Sequence, residues 1–457
     1  MSQRDIEPSH LETLDRDLGR VSSLELATAY VAKPLVAPAV ALIFIVLVGV
    51  IAASTMSARN NAVVIVIAAV LGAYMALNIG ANDVANNMGP AVGAKALTMA
   101  GAIAIAAVFE SAGAIIAGGD VVSTIAKGII APTTMQSADV FIWAMMAALL
   151  SAALWVNLAT WVGAPVSTTH SVVGGVMGAG IAAAGFSAVN WGTMSKIAAS
   201  WVISPVLGGV IAAAFLWFIK TRVIYQDDKI AAAKKWVPVL VGIMAGAFAS
   251  YLALKGLKKI IKMDLQTAIA LGLIFGVITW AFTKPIIAKQ SVGMENRNKS
   301  LKKLFNIPLI VSAALLSFAH GANDVANAVG PLAAIVQASS SGEYTAAISI
   351  PLWVMIIGAA GISFGLFLFG PKLINVVGNQ ITKLNQMRAY CVALSAAITV
   401  IVASWLGLPV SSTHIAVGAV FGVGFFREWD TAKRMRSSNL SEVELPQVAK
   451  EERKRRK

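Results

Sequence analysis

Charge is scarce in this sequence. Lysine, arginine, aspartate and glutamate make up 13% of the 457 residues, where a soluble domain carries about 25%, and a globule solvated by a charged surface is thereby excluded. Cysteine is almost missing. Cys391 is the only one, so an intrachain disulfide and a cysteine-rich metal centre are both ruled out. Its position inside a hydrophobic run reads as that of a small apolar residue. The chain also has no Gly-x-Ser-x-Gly, no His-Glu-x-x-His and no nucleotide-binding glycine loop. An intramembrane hydrolase working with Ser, His and Asp is left without its usual signatures, and no enzymatic activity is expected.

What remains is apolar. Hydrophobic residues reach 58% and the mean hydropathy is +0.76. They fall in runs that carry no charge apart from Glu110, most near the roughly 20 residues that span a bilayer. The runs are 34–53, 62–79, 96–118, 140–162, 171–186, 197–219, 236–254, 265–283, 307–319, 346–369, 389–406 and 415–426. The fold class is therefore an all-α polytopic membrane protein of about 12 transmembrane or re-entrant helices. Six acidic residues precede the first run, which does not fit the basic start of a signal peptide.

An even number of crossings places both termini on one side. Counted by loop, 29 of the 36 lysines and arginines lie on that side and 7 on the other. By the positive-inside rule both termini are cytoplasmic, in a cell membrane, expected to be a bacterial inner membrane. The net charge of +14 is then orientation charge with contact to anionic membrane lipid, and no nucleic-acid partner is expected.

Two motifs occur twice. Gly80-Ala81-Asn82-Asp83-Val84-Ala85-Asn86 repeats as Gly321-Ala322-Asn323-Asp324-Val325-Ala326-Asn327, at an offset of 241. Gly163-Ala164-Pro165-Val166-Ser167-Thr168-Thr169-His170 matches Gly407-Leu408-Pro409-Val410-Ser411-Ser412-Thr413-His414, at an offset of 244. Glycines follow at Gly174 and Gly178, and at Gly418 and Gly422. Matching runs are seven apart, an odd number, so the two halves enter the membrane with opposite orientation. Inverted repeats with short, Gly/Pro-interrupted runs at matched positions mark secondary transporters. Interruptions are expected at Gly80, Pro90, Pro165, Gly321, Pro331 and Pro409. The chain is divided into a cytoplasmic tail 1–33, an extra leading helix and loop 34–61, a first repeat 62–219, a connecting segment 220–306 with two helices and basic loops, a second repeat 307–426 and a basic cytoplasmic tail 427–457.

The chemistry follows from residue type. A proline followed by Ser and Thr opens a helix well, and a helix start with free N–H groups and hydroxyls is an anion site. Ser167, Thr168, Thr169, Ser411, Ser412 and Thr413, with the amides of Asn86 and Asn327, are the candidate cradle for a tetrahedral oxyanion. Asp83 and Asp324 cannot hold an anion when ionised, but they can hold a cation, sodium if that is the driver, with Asn82 and Asn323 as amide ligands. Helix capping is the structural alternative for both sets. Glu110 lies in a span without an evident basic partner. His170 and His414 are duplicated and suit either a turn-holding or a transport role. His320, opposite Ile79, and Asn87, opposite Ala328, are unduplicated and rank low.

Taken together, the duplicated motifs resemble the inorganic phosphate transporter family called PiT over roughly 62–426, and Phe109-Glu110 is similar to a Phe-Glu pair of that family's first repeat. The resemblance implies uptake of inorganic phosphate, free or as a metal–phosphate complex, coupled to sodium or protons, without a cofactor beyond the coupling ion, commonly in a homodimer. Some bacterial members carry sulfate, so a sulfate permease on the same fold is the nearest alternative. A passive anion channel is further off, because its pore calls for basic rings. The leading span 34–53 and its polar tail depart from the plainest members.

Overall fold

The structure, a computed structural model, describes residues 34–55, 61–256, 263–341, 350–381 and 384–437. The N-terminal tail and most of the C-terminal tail lie outside the described residues. Among those described, the chain is almost wholly helical, and its only extended pairing is a bridge between Ile130 and Val189. Fourteen α-helices follow in order. They are α1 (Pro34–Thr55), α2 (Ala62–Gly93), α3 (Met99–Ala117), α4 (Gly119–Lys127), α5 (Ala138–Val162), α6 (Thr168–Ala184) and α7 (Trp191–Ile219). After them come α8 (Lys229–Tyr251), α9 (Leu265–Gln290), α10 (Asn298–Leu304), α11 (Asn306–Ser341), α12 (Leu352–Asn375), α13 (Gln386–Trp405) and α14 (Ser412–Ser437). Among the described residues ten helices are long and apolar enough to cross a membrane, and the other expected runs are α6 and α14, the return arms of two hairpins.

Polar residues set the helix starts. Ser137 caps α5 by accepting from the Val140 N–H, Asn190 caps α7 through Thr193, and Asn385 caps α13 through Arg388. The two long central helices differ from the sequence expectation. Interruptions expected at Gly80, Pro90, Gly321 and Pro331 do not break them: α2 runs unbroken for 32 residues and α11 for 36. The hydropathy falls at Asn82–Asn87 because the side chains are polar, while the backbone ladder continues. Those side chains find partners inside the bundle, and each proline's missing N–H is tolerated within a packed interior.

The two-fold relation of the halves is visible in the packing. Gly80 of α2 sits so close to α12 that a Cβ there would lie 1.9 Å from the Ile362 carbonyl oxygen, and one at Gly321 of α11 would lie 2.0 Å from the Glu110 carbonyl oxygen of α3. The same exchange recurs where Gly113 meets the Phe318 carbonyl and Gly365 meets the Leu77 carbonyl. So α2 crosses α12 as α11 crosses α3, backbone against backbone, as small residues allow in membrane bundles. The turns at Pro165 and Pro409 open after Gly163 (φ 82°) and Gly407 (φ 69°), left-handed positions that end α5 and α13.

Two further helices clasp this core. α1 lies on α2 and α12, with Phe44 stacked on Phe364 at 4.8 Å, and α8 lies on α11, with Phe248 edge-on to Phe318 at 5.0 Å. α1 thus takes the place in the first half that α8 takes in the second. α9 is held to α8 through Gly242, Gly246, Gly272 and Gly276, and its Leu273, Ile274, Phe275, Val277 and Phe282 are exposed on the outer face, as lipid contact requires.

The close crossings give a direct test. Gly80→Ala and Gly321→Ala each push a methyl into a backbone carbonyl, and each is expected to lower the melting temperature by the equivalent of at least ~1–3 kcal/mol. Gly174 has nothing within 4 Å of its would-be Cβ, so Gly174→Ala is expected to leave melting unchanged or raise it slightly, by up to ~1 kcal/mol.

Candidate functional site

The site assembles where the two proline turns meet α2 and α11. Asn82 and Asn323 fix the turns. The Asn82 Nδ2 donates to Thr160 Oγ1 (3.0 Å) and to the Ala164 carbonyl (3.1 Å), and its Oδ1 accepts from the Val166 N–H (3.0 Å). Asn323 repeats this with Ser404 Oγ (2.9 Å), the Leu408 carbonyl (3.2 Å) and the Val410 N–H (3.3 Å). Expected from sequence as cation ligands, these amides instead satisfy non-helical backbone inside the bundle, where each unpaired group would be costly. Ser167 and Ser411, expected as anion donors, cap their helices by accepting from the His170 and His414 N–H groups at 3.1 and 3.2 Å.

The residues next in the chain face the centre. Thr168 Oγ1 donates to Asp83 Oδ2 at 2.7 Å and Ser412 Oγ to Asp324 Oδ2 at 3.1 Å. From the opposite hairpin, Thr413 Oγ1 lies 3.5 Å from Asp83 Oδ1 and Thr169 Oγ1 lies 3.5 Å from Asp324 Oδ1. Each aspartate therefore faces a hydroxyl from both turns. The tips also touch each other, with Thr169 Oγ1 3.0 Å from the Val410 carbonyl and Thr413 Oγ1 3.3 Å from the Val166 carbonyl. They turn back inside the bundle, so each proline turn is enclosed by protein. Asn86 Nδ2 donates to Thr413 Oγ1 at 2.8 Å and Asn327 Nδ2 to Thr169 Oγ1 at 3.1 Å. All of these hydroxyl, amide and carboxylate side chains are buried.

Three polar residues ranked low or left without a partner by sequence converge on one side of this centre. His320 Nε2 is 2.8 Å from Asp324 Oδ2 and 3.6 Å from Asp83 Oδ2, and its Nδ1 is 3.4 Å from Glu110 Oε1. Asn87 Nδ2 donates to the same Glu110 oxygen at 2.8 Å. Glu110 thus has His320 as its basic neighbour. Absence of a duplicate is what hid His320 and Asn87. The signal that finds them is spacing: His320 to Asp324 and Asp83 to Asn87 are i, i+4 pairs on one helix face. In the repeat geometry the counterparts Ile79, Ala328 and Ile362 are apolar.

His170 and His414 lie off this centre. Their rings are 4.7 Å apart and His170 packs on Trp201 at 3.7 Å, beside a cleft of about 640 Å³ lined by Pro165, Val166 and Ser167. Ser167 Oγ is 2.5 Å from His170 Nδ1, which ties the ring to the turn.

A hard cation fits the centre. Asp83 and Asp324 offer carboxylate oxygens flanked by hydroxyl oxygens, with one oxygen of each aspartate and a His320 nitrogen within 4.8 Å of one another. Helix starts and hydroxyls from two inverted hairpins bound the same space, an arrangement suited to an anion beside the cation. Crossed inverted repeats whose broken hairpins meet at a buried polar centre are the architecture of secondary transporters. The chain belongs to the phosphate transporter family, which matches residues 79–447. It is 53% identical over 415 residues, 90% of this chain and 78% of the other, to a protein of Helicobacter pylori provisionally named a phosphate permease. It is 38% identical over 360 residues, 78% of this chain and 88% of the other, to a similarly named protein of Pyrococcus abyssi. Among solved structures it resembles "The sodium-dependent phosphate transporter", with a TM-score of 0.76 and 39% identity over 80% of this chain and 90% of that one. Family and fold are those of transporters, and the hydrolase reading falls.

The staple assigned to Asn82 and Asn323 has a measurable cost. Asn82→Leu and Asn323→Leu each leave a partly or fully buried N–H and a carbonyl without partners, and each is expected to destabilise the protein by up to ~1–3 kcal/mol per orphaned group even without ligand. A melting temperature equal to that of the parent in both variants would show that the amides do not hold the turns.

Proposed function

We propose that this protein takes up inorganic phosphate by symport with a cation through the centre formed by Asp83, Asp324 and the two hairpin tips. One observation carries the reading: the hydroxyls suited to an anion are donated to the carboxylates suited to a cation. A hydroxyl has one proton to give. While Asp83 and Asp324 hold Thr168 and Ser412, those protons are withheld from an anion. A cation at the carboxylates neutralises them and leaves the hydroxyls, with the Asn86 and Asn327 amides, free to turn to the anion. Binding of one ion thereby favours the other, which is what coupling requires.

Oxygen donors from carboxylates and hydroxyls favour sodium, in keeping with the name of the similar solved structure. A proton is the second reading, favoured by the 2.8 Å approach of His320 to Asp324. Phosphate is preferred to sulfate because phosphate near neutral pH still carries a proton to donate to a carboxylate, whereas sulfate has none. A site with acceptors aimed inward rejects the analogue that cannot satisfy them. We read the protein as lying in a cell membrane with both termini cytoplasmic, on the strength of the 29-to-7 distribution of basic residues, and as a homodimer on the family resemblance alone.

The deciding experiment is uptake of labelled phosphate and sulfate into proteoliposomes under imposed sodium or pH gradients. Asp83→Asn and Asp324→Asn are expected to abolish gradient-driven uptake while folding persists, since Asn keeps the shape and accepts from Thr168 or Ser412. Full cation-dependent uptake in both variants would reduce the aspartates to hydroxyl acceptors.

Topology is checked separately. A tag in the Ser291–Gly293 turn or at 450 is expected to be reached only from the cytoplasm, and one between 342 and 349 only from outside. Labelling of both from the same side would overturn the inverted arrangement in the membrane.

A further inference from the structure

We propose that the cleft between α1 and the transport core binds one anionic phospholipid of the cytoplasmic leaflet. α1 stands in the first half where α8 stands in the second, but the two seats are unlike. Beneath α8 the cavity is about 200 Å³ and its lining, including Leu315, Phe248 and Ile401, is entirely apolar. Beneath α1 the cleft is about 710 Å³, within the range of small-ligand sites. Asn157 stands there in place of Ile401 and Tyr74 in place of Leu315, and Lys372 lies at its edge. The family match begins at residue 79, so α1, which makes the outer wall, lies outside it.

The polar groups are the reason for a ligand. Asn157 is exposed on a helix face otherwise carrying Leu154, Leu158 and Trp161. Its Nδ2 donates to Asn78 Oδ1 at 3.1 Å, and Asn78 Nδ2 donates to the Tyr74 carbonyl at 2.8 Å. An amide facing hydrocarbon is costly, so a polar moiety belongs against it. Leu42, Ile45, Leu368 and Phe369 supply apolar walls for an acyl chain. Lys372, in the last turn of α12, gives one of its three ammonium protons to the Trp161 carbonyl at 2.8 Å, and an ammonium beside an exposed tryptophan suits a phosphate headgroup. In the proposed topology the start of α1 and the end of α12 both face the cytoplasm, where anionic headgroups lie. Thr160 lines the cleft and also accepts from Asn82, so a lipid seated there bears on the end of α5 that leads into the proline turn.

The test is native mass spectrometry of the purified full-length chain offered phosphatidylglycerol or phosphatidylcholine. One phosphatidylglycerol per chain is expected to be retained and phosphatidylcholine not. Lys372→Gln is expected to weaken retention roughly tenfold, as loss of a charged contact does, while Lys372→Arg keeps it and the α10 control Lys303→Gln has no effect. Ala41→Trp, which fills the cleft from α1, is expected to abolish retention. Equal retention of the two lipids, indifference to both Lys372→Gln and Ala41→Trp, or displacement of phosphatidylglycerol by millimolar inorganic phosphate would each overturn the proposal, the last by showing a bare anion site.

Discussion

Asp83, Asp324 and Glu110 are buried together in a protein that spans a membrane, with His320 as the basic group among them. Carboxylates at that depth are expensive even by the mildest scales, ~2.5 kcal/mol or more each. Much of the surrounding architecture answers this. Hydroxyls must reach the carboxylates, so two helix starts are brought into the interior. Helix starts in the interior mean broken backbone there, so Asn82 and Asn323 must satisfy the turns. The helices bearing these asparagines must approach their neighbours closely, and Gly80 and Gly321 permit that. Each requirement follows from the one before it, and the duplicated motifs record the whole chain of dependence.

That chain explains why sequence carried the reading so far and where it stopped. Spans, the inverted halves and the two motifs were legible because they rest on hydropathy, parity of charge and repetition. The continuity of α2 and α11 was not legible, since polar side chains lower hydropathy whether or not the backbone breaks. The division of labour within the motifs was also hidden. Asn82 and Asn86 are the same residue type on adjacent turns, yet one holds backbone and the other a side-chain hydroxyl. Ser167 and Thr168 are adjacent hydroxyls, yet one caps its helix and the other faces Asp83. Only the direction of each side chain separates them, and direction depends on how the hairpins dock.

Repetition misled as well as guided. It led to ranking duplicated residues first, and His320 and Asn87 fell below them. The structure shows that symmetry is broken where those residues sit. On one side of the centre are Asn87, Glu110 and His320, and at the matching positions are Ala328, Ile362 and Ile79. A histidine between two aspartates cannot serve both equally: its Nε2 is 2.8 Å from Asp324 and 3.6 Å from Asp83. The two aspartates, alike in sequence and in their hydroxyl partners, therefore meet different electrostatic surroundings. Two inverted halves give a site that can face either side of a membrane in equivalent shapes. In the proposed cycle, an ionisable cluster on one side of the centre would make those two shapes unequal in energy, and an ion bound there would shift the balance only by its differential affinity for the two. In the symport proposed above, the pseudo-symmetry would supply the two states and the unduplicated residues the difference between them.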